Sequence, residues 1–182
     1  MQYRAKRKSN RSWTEGALIP YGNEPKIIHA ISVHPEFTDS ETVYYCEGSP
    51  VDPDTVCRFT GMYDNTDWDE LTSEEQALFL YPEDGSRHHR DEWRGKKIYE
   101  NDIVRVTDDD GDISELNSDT GLGRVVFCFG MWYITNGIEN SLFEISNGYY
   151  VRVIGNTYDN PDLWASLNHD LEECWRKANH EA

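Results

Sequence analysis

Two carboxylates in the middle of the chain have a spacing that suits acid–base chemistry. Glu100 and Asp102 are two residues apart, so a strand would place both on one face. Paired carboxylates can exchange a proton with a substrate when a cleft raises the pKa of one of them. The residue between them, Asn101, favours another interpretation, because Asn-Asp pairs bond nearby backbone in tight turns. Because no companion nucleophile can be placed near the two carboxylates from the sequence, a turn is the favoured interpretation here. The chain also has no Gly-x-Ser-x-Gly elbow that would frame a serine nucleophile.

Two further groups have residue types that bind metals. His88, His89 and Asp91 are close in sequence, but adjacent histidines point to opposite sides of a strand and are not fixed in a loop. Asp108–Asp112 is similar to a calcium loop, yet Val106 stands where that loop needs an oxygen ligand. A solvated loop explains the histidine group better, and a turn between strands explains Asp108–Asp112 better. The sequence therefore predicts no metal and no cofactor.

Aromatic and cationic side chains are the remaining candidates for a binding site. The chain has 6 Trp and 11 Tyr, whose rings on a sheet face can form core, an interface or a pocket that stacks a planar ligand. The candidate binding residues are Tyr99, Glu100, Asp102, Trp132, Tyr133 and Tyr150. The cations that could meet the phosphate of a bound nucleotide are Arg4, Arg105, Arg124 and Arg152.

The net charge restricts the class of partner. The chain has 17 Lys and Arg against 34 Asp and Glu, a net charge of −17. Five of the basic residues lie in the first eleven positions, so residues 12–182 carry a net charge of −22. A body this acidic repels a phosphate backbone, and direct binding to duplex DNA is therefore disfavoured. The basic start could contact nucleic acid or a neighbouring subunit, although a charged first strand is the simpler interpretation.

Cysteine usage and hydropathy indicate the compartment. The four cysteines are scattered, with no Cys-x-x-Cys pair. Met1 is followed by a polar, basic segment rather than by the apolar region of a signal peptide. No apolar run approaches the roughly 20 residues that a membrane helix needs. We therefore expect a cytoplasmic protein with reduced thiols and no membrane contact.

Strands are the elements that must position these residues. The most regular pattern runs from Gly95 to Val106, with a tight entry before Asp102 and an alternating strand from Ile103. Further strands are predicted over 3–7, 13–19, 27–33, 42–46, 55–60, 123–129 and 131–135. Asn147-Gly148 stands between the apolar runs 142–145 and 149–154 and predicts a hairpin.

Two helices complete the predicted fold. Thr72 and Glu75 form a capping-box pattern that opens a helix over about 72–81. Asn160 and Pro161 begin a second helix over about 161–178, whose apolar stripe would cover the sheet or a partner subunit. The fold class is therefore mainly β, with α+β as the alternative, as a small antiparallel barrel or sandwich of short strands.

Four segments spread over almost the whole chain match one family in its order: Tyr3–Lys6 with Trp13–Ile19, Thr60–Asp64, Gly95–Val104 and Val153–Leu163. Together they resemble the YopX family, whose members are encoded mainly by prophages and bacteriophages. The resemblance implies a mostly β fold, a homo-oligomer and a phage or mobile-element origin, but no chemistry. Residues 64–94 depart from the shorter members, so we expect one domain over 1–182 with a helix-and-loop insertion at 64–94.

Three functions follow as hypotheses. The first is a phage accessory protein without catalytic activity, an acidic oligomer that binds a host protein with a basic surface. The second is a protein that binds or sequesters a small nucleotide signal. The third is a metal-dependent hydrolase.

Overall fold

The computed structural model describes residues 1–20, 24–34, 43–82, 85–108, 110–111, 121–135 and 139–165. Strands dominate these residues. The first six are β1 (Tyr3–Lys6), β2 (Trp13–Ile19), β3 (Lys26–His34), β4 (Val43–Pro50), β5 (Cys57–Tyr63) and β6 (Lys97–Tyr99). The others are β7 (Asp102–Thr107), β8 (Leu122–Cys128), β9 (Met131–Thr135), β10 (Glu139–Ser141) and β11 (Tyr150–Asn156).

The strands form two antiparallel sheets, as the mainly β prediction expected. One sheet has the order β4-β3-β2-β1-β5-β6, and the other has the order β10-β9-β8-β7-β11. Neither sheet closes into a barrel within the described ranges. The predicted strands between 3 and 60 and between 98 and 135 are confirmed, with shifts of a few residues at their ends.

The chain divides into two compact units. The first consists of Met1–Phe59 and Trp68–Trp93, and the second of Thr60–Asp67 and Arg94–Ala182. Residues 68–93, most of the predicted insertion at 64–94, therefore pack within the first unit. That 1–182 is a single domain stays a prediction.

The basic start of the chain is held within the first unit. β1 pairs with β2 in a hairpin whose register places Lys6 opposite Trp13. Lys6 is only 8% exposed, and its ammonium lies 5.4 Å from the centroid of the Trp13 ring. Arg4 stacks on the same ring at 4.7 Å.

Arg7 is also held by side chains, because its guanidinium donates to the hydroxyl oxygens of Ser12, Ser49 and Thr14. These contacts favour the charged first strand over a nucleic-acid-binding arm.

An ion pair beside this hairpin makes stability depend on pH. Arg11 donates a hydrogen bond to the Asp52 carboxylate, and this bond, with a second from the backbone N–H of Asp54, holds the pKa of Asp52 below its ordinary 3.8. A lowered folded-state pKa stabilises the fold above the ordinary value, and this stability is lost as the pH falls through the lowered value.

We expect Asp52→Asn to melt below the wild-type protein at about pH 5, and the gap to close towards about pH 2. Thermal melts across that range measure the gap. Arg11→Gln should reproduce the loss at the higher pH. A gap of constant size at every pH would show that the lost stability does not come from ionisation of Asp52.

Helix α1 (Ser73–Leu80) confirms the helix predicted over 72–81. Its N-cap is Thr72, whose hydroxyl accepts from the Glu75 N–H at 3.2 Å while the Glu75 carboxylate accepts from the Thr72 N–H at 2.9 Å. The rings of Trp68, Phe79 and Trp93 meet edge to face with centroids 5.1–5.9 Å apart. This aromatic cluster anchors the helix, which has no fully buried residue of its own.

The second unit is built around β7, which lies in the segment with the most regular strand pattern in the sequence. Val104 and Val106 are fully buried on one face, while Arg105 between them is exposed. The core on the buried face consists of Ile98, Val104, Val106, Val125, Ile134, Leu142, Ile145 and Val151. One face of the sheet is thus apolar and covered. The other face carries the exposed Arg105 beside a smaller buried cluster that contains Ile103.

The hairpin predicted at Asn147-Gly148 is wrong. Leu142–Ser146 is a helix, α2, and β11 pairs with β7 instead of with residues 142–145. Leu142 and Ile145 are buried while Phe143 is 67% exposed, so the apolar residues follow the three-residue spacing of a helix rather than the alternation of a strand. The N–H groups of Gly148 and Tyr149 both donate to the Ile145 carbonyl and end the helix.

The C-terminal helix is present where it is described. Residues 161–165 are helical, and the remainder of the predicted helix over 161–178 lies outside the described residues. Before this helix, the Oδ1 of Asn160 accepts from the Asn156 N–H at 3.0 Å. No helix in the described ranges is long and apolar enough to span a bilayer.

Candidate functional site

Two arginines meet on the exposed face of the second sheet. The register of β7 and β11 places Arg105 directly opposite Arg152, and Thr107 directly opposite Tyr150. Directly opposed residues point to the same side, as do residues two apart on one strand. Both arginines and Tyr150 are exposed. These four residues form one continuous patch, which we call the arginine face.

An apolar wall borders the arginine face. Leu122 of β8 lies opposite Arg105 in the register of β7 and β8, and its neighbour in the buried cluster is Ile103. Leu163 and Trp164, at the start of the C-terminal helix, pack against this pair. The sheet face therefore changes from charged to apolar within one strand spacing.

A hydrogen-bonded junction holds this wall in place. Asn101, in the turn between β6 and β7, has a φ of 67°, a left-handed conformation that asparagine tolerates. Its side chain accepts from Arg124 Nε at 3.0 Å and donates to the Tyr158 hydroxyl at 3.0 Å. The Arg124 guanidinium lies 5.0 Å from the centroid of the Trp164 ring. Arg124 thus links the turn to the helix start.

The segment that follows β11 closes on itself through side chains. Asn156 is nearly buried, and its Oδ1 accepts from the N–H groups of Tyr158 and Asp159 at 3.0 Å each. Its Nδ2 donates to the Asp159 carboxylate at 3.0 Å. These bonds fix the turn that brings Trp164 over the sheet, and they give Asn156 and Asp159 a positioning role.

The hairpin between β8 and β9 exposes large apolar side chains. Phe127, Phe129 and Met131 are 39%, 88% and 52% exposed, and we call these three residues the hairpin tip. Cys128 pairs with Met131, so Phe129 and Gly130 form a two-residue turn with φ angles of 47° and 82°. Turns with both angles positive favour Asn-Gly, and a bulky side chain at the first position is unusual.

The candidate binding residues predicted from the sequence separate into two groups. Tyr99 and Asp102 are 1% and 0% exposed and belong to the interior, where the Asp102 carboxylate accepts from the Tyr99 N–H at 2.8 Å. Glu100 lies partly exposed in the turn itself. The Asn101-Asp102 turn is therefore confirmed, and it occupies the carboxylate that acid–base chemistry would have needed.

The other three candidates lie on the second sheet. Trp132 packs against the core, with its ring edge to face with Phe127 at 4.9 Å. Tyr133 is half-buried on the opposite side of β9. Only Tyr150, which is 45% exposed, lies on the arginine face.

The metal candidates fit other roles. His88 stacks on Phe79 with ring centroids 5.1 Å apart and shares a hydrogen bond of 3.0 Å between Nδ1 and the Glu92 carboxylate, which lowers the Glu92 pKa. No group of three or more potential metal ligands occurs in the described part of the chain. Of the acidic loop, residues 109 and 112–120 lie outside it.

Comparison with protein families identifies one part of the chain. A family model described as YopX protein matches residues 91–165. These residues are a YopX domain. Searches of the curated proteins and of the solved structures found no match. The matched range contains both the arginine face and the hairpin tip.

The YopX domain relies on a segment outside its matched range. Asn65 pairs with the outer edge of β11, donating to the Val151 carbonyl and accepting from the Val151 N–H, both at 2.8 Å. Asp64 accepts from the N–H groups of Lys96 and Val153. Two of the segments that carried the resemblance, Thr60–Asp64 and Gly95–Val104, therefore meet inside one compact unit.

Sequence reasoning missed the hairpin tip and the pairing within the arginine face. Phe127, Phe129 and Met131 were assigned to strands around Gly130, and only the unusual Phe-Gly turn could have marked them as exposed. Arg105 and Arg152 were each named as possible phosphate ligands, but their pairing depends on the register of two strands that are distant in sequence.

Proposed function

We propose that this chain is a phage- or prophage-encoded accessory protein without catalytic activity. It forms homo-oligomers in the cytoplasm of a bacterial host and binds a host protein that has a basic surface. The observation that supports this proposal is the exposed hairpin tip on a strongly acidic chain. The resemblance to phage proteins supports the origin and the self-association.

The hairpin tip has the features of a contact surface. Residues 125–135 contain no charged side chain, in a chain of which 28% of the residues are charged. The β8–β9 register places Phe127 on one face of the hairpin and Met131 on the other, so its end exposes apolar side chains on both faces. Exposed apolar groups gathered at one end of a hairpin mark interaction sites on folded proteins. An aromatic anchor in a partner's pocket carries a large share of the binding free energy in many interfaces.

Backbone strain at Phe129 points in the same direction. A left-handed conformation costs an L-residue with a Cβ about 1–2 kcal/mol, and asparagine or glycine would relieve that cost. Phe129 adopts a φ of 47° while its ring is 88% exposed. Phe129 therefore adds backbone strain to this chain, and its exposed ring gains no stability from burial in return. An outlier of this kind supports a role in binding.

The net charge of the chain favours a partner of opposite charge. A net charge of −17 favours encounter with a basic protein and opposes binding to acidic ones. In such a complex the acidic surface steers association, and the hairpin tip supplies the apolar contact. Binding should therefore weaken as salt increases, because salt screens the charges at the rim more than it affects the apolar anchor.

Phe129→Asn should separate stability from binding. We expect the free energy of unfolding of the variant to be about 1 kcal/mol higher than that of the wild-type protein, because Asn-Gly suits the turn. We expect its affinity for the partner to fall about ten- to hundredfold, since burying a phenylalanine ring is worth about 1.5–3 kcal/mol. Denaturant unfolding measures the first effect. Titration calorimetry with a partner captured from host lysate and then purified measures the second.

The matched control is Leu78→Gln, which removes an apolar side chain that is 64% exposed on helix α1. It should leave the affinity unchanged. If Phe129→Asn binds the purified partner as tightly as the wild-type protein, the hairpin tip is not the contact surface. A partner that is acidic, or affinity that is indifferent to salt, would contradict the role of charge.

A further inference from the structure

We infer that the arginine face is a binding site for a phosphorylated small molecule of about the size of a nucleoside monophosphate. This site is separate from the hairpin tip and shares no residue with it. The inference does not depend on the proposed protein partner. It starts from the pairing of Arg105 with Arg152 across β7 and β11.

Two like charges directly opposite each other destabilise a sheet. Side chains in such a pair have Cβ atoms about 5 Å apart, and like charges at that separation repel. Arg105 has no ion-pair partner among the residues that the structure describes, although the chain has 34 acidic residues. Arg152 makes a further contact of its own. An anion bound between the two guanidinium groups would be attracted to both of them.

Phosphate fits this pair better than a single carboxylate does. Each guanidinium offers five N–H donors in a planar fork, so a contact made elsewhere leaves donors for a ligand. A terminal phosphate has three oxygens and can accept from two forks at once, whereas a carboxylate matches one. Because both guanidinium groups stand on the exposed face of the sheet, the phosphate can approach from solvent.

The neighbours of the arginines suit the organic part of the ligand. Tyr150 is two residues from Arg152 on the same face, which places it about 7 Å along the strand. Its ring is 45% exposed and can stack on a planar base. On the other side of the pair, Leu122 and the ring of Trp164 form the apolar wall. A phosphate group with a planar ring attached therefore matches the arginine face.

Titration calorimetry at low salt with four probes tests this inference. The probes are inorganic phosphate, ribose 5-phosphate, a nucleoside monophosphate and the corresponding nucleoside. We expect the three phosphate-bearing probes to bind, the nucleoside monophosphate most tightly, and the nucleoside not to bind measurably. Arg105→Gln and Arg152→Gln should each weaken the phosphate-bearing probes at least tenfold. Arg87→Gln, which removes an exposed arginine of the other unit, should bind as the wild-type protein does.

Tyr150→Ala distinguishes the parts of the ligand. It should weaken the nucleoside monophosphate several-fold and leave inorganic phosphate unchanged, because stacking needs the base and the ion pair does not. Equal loss for both probes would assign Tyr150 a structural role and overturn the nucleotide-sized site. Absence of phosphate binding by the wild-type protein at millimolar concentration, or equal binding by Arg105→Gln, would overturn the anion site itself.

The ligand-free protein provides a second readout. Arg105→Gln removes one of two directly opposed positive charges, so its melting temperature at low salt should be at or above that of the wild-type protein, and added salt should reduce the difference. Inorganic phosphate should raise the melting temperature of the wild-type protein by mass action but not that of the variant. A lower melting temperature for the ligand-free variant would show that the two arginines stabilise the sheet without an anion.

Discussion

Asp64→Ala should lower the free energy of unfolding of the second unit by about 4 kcal/mol. The Asp64 carboxylate is 4% exposed and accepts four hydrogen bonds. The donors are Thr66 N–H at 3.0 Å, Thr66 Oγ1–H at 2.8 Å, Lys96 N–H at 2.7 Å and Val153 N–H at 2.9 Å. Alanine leaves these donors without an acceptor, and a buried donor that loses its acceptor costs about 1–3 kcal/mol.

Denaturant unfolding and amide hydrogen exchange measure this loss. The amides of Lys96 and Val153 should exchange much faster in the variant, because their acceptor is gone. Asp64→Asn should be almost as destabilising, since its NH₂ group would face N–H donors on one side. The control is Asp110→Ala, at an exposed carboxylate of the same unit, which should change stability by less than about 0.5 kcal/mol. An unfolding midpoint near the wild-type value for Asp64→Ala would refute this account of the residue.

The sequence was sufficient where the signal was local. Helix α1 could be predicted because Thr72 and Glu75 satisfy each other's backbone within four residues. The β1–β2 and β8–β9 hairpins could be predicted because each joins neighbouring strands through a short turn. In these elements the residues that decide the structure are close in sequence, so a pattern is enough.

The sequence misled where tertiary contacts decide between two local structures. Asn147-Gly148 is a strong hairpin signal, but Leu142 and Ile145 gain more by burial together on one side of a helix than by pairing as a strand. β11 then pairs with β7, more than forty residues earlier in the chain, instead of with its neighbour. A local turn motif cannot report which of two distant strands offers the larger core.

The candidate site was predictable by composition but not by arrangement. Arg105, Arg152 and Tyr150 could each be named from the sequence, yet only the β7–β11 register places them on one face. The burial of Asp102 and Tyr99 could not be read from their alternation, because both sides of β7 are covered near its start. Next to Asp102 at the start of β7, Val104 is buried on one face of the sheet and Ile103 is buried on the other.

Gly95→Ala should destabilise the second unit by about 3–5 kcal/mol, and by a different cause from Asp64→Ala. A Cβ at residue 95 would lie 1.9 Å from the Asp64 carbonyl oxygen and 2.9 Å from its carbonyl carbon. The φ of Gly95 is 105°, which side chains of L-residues rarely adopt. The backbone of Asp64 would have to move, and it cannot do so freely because its N–H donates to the Lys96 carbonyl at 2.8 Å.

The two substitutions should therefore be strongly non-additive. Once Gly95→Ala has displaced Asp64, the four hydrogen bonds of the carboxylate are already weakened, so adding Asp64→Ala should cost much less than it does alone. Denaturant unfolding of the double variant and of both single variants measures this coupling. Gly148→Ala is the matched control, since no heavy atom lies within 4 Å of the added Cβ, and it should leave stability nearly unchanged. Additive losses would mean that Gly95 and Asp64 stabilise the YopX domain independently, although the structure places them in direct contact.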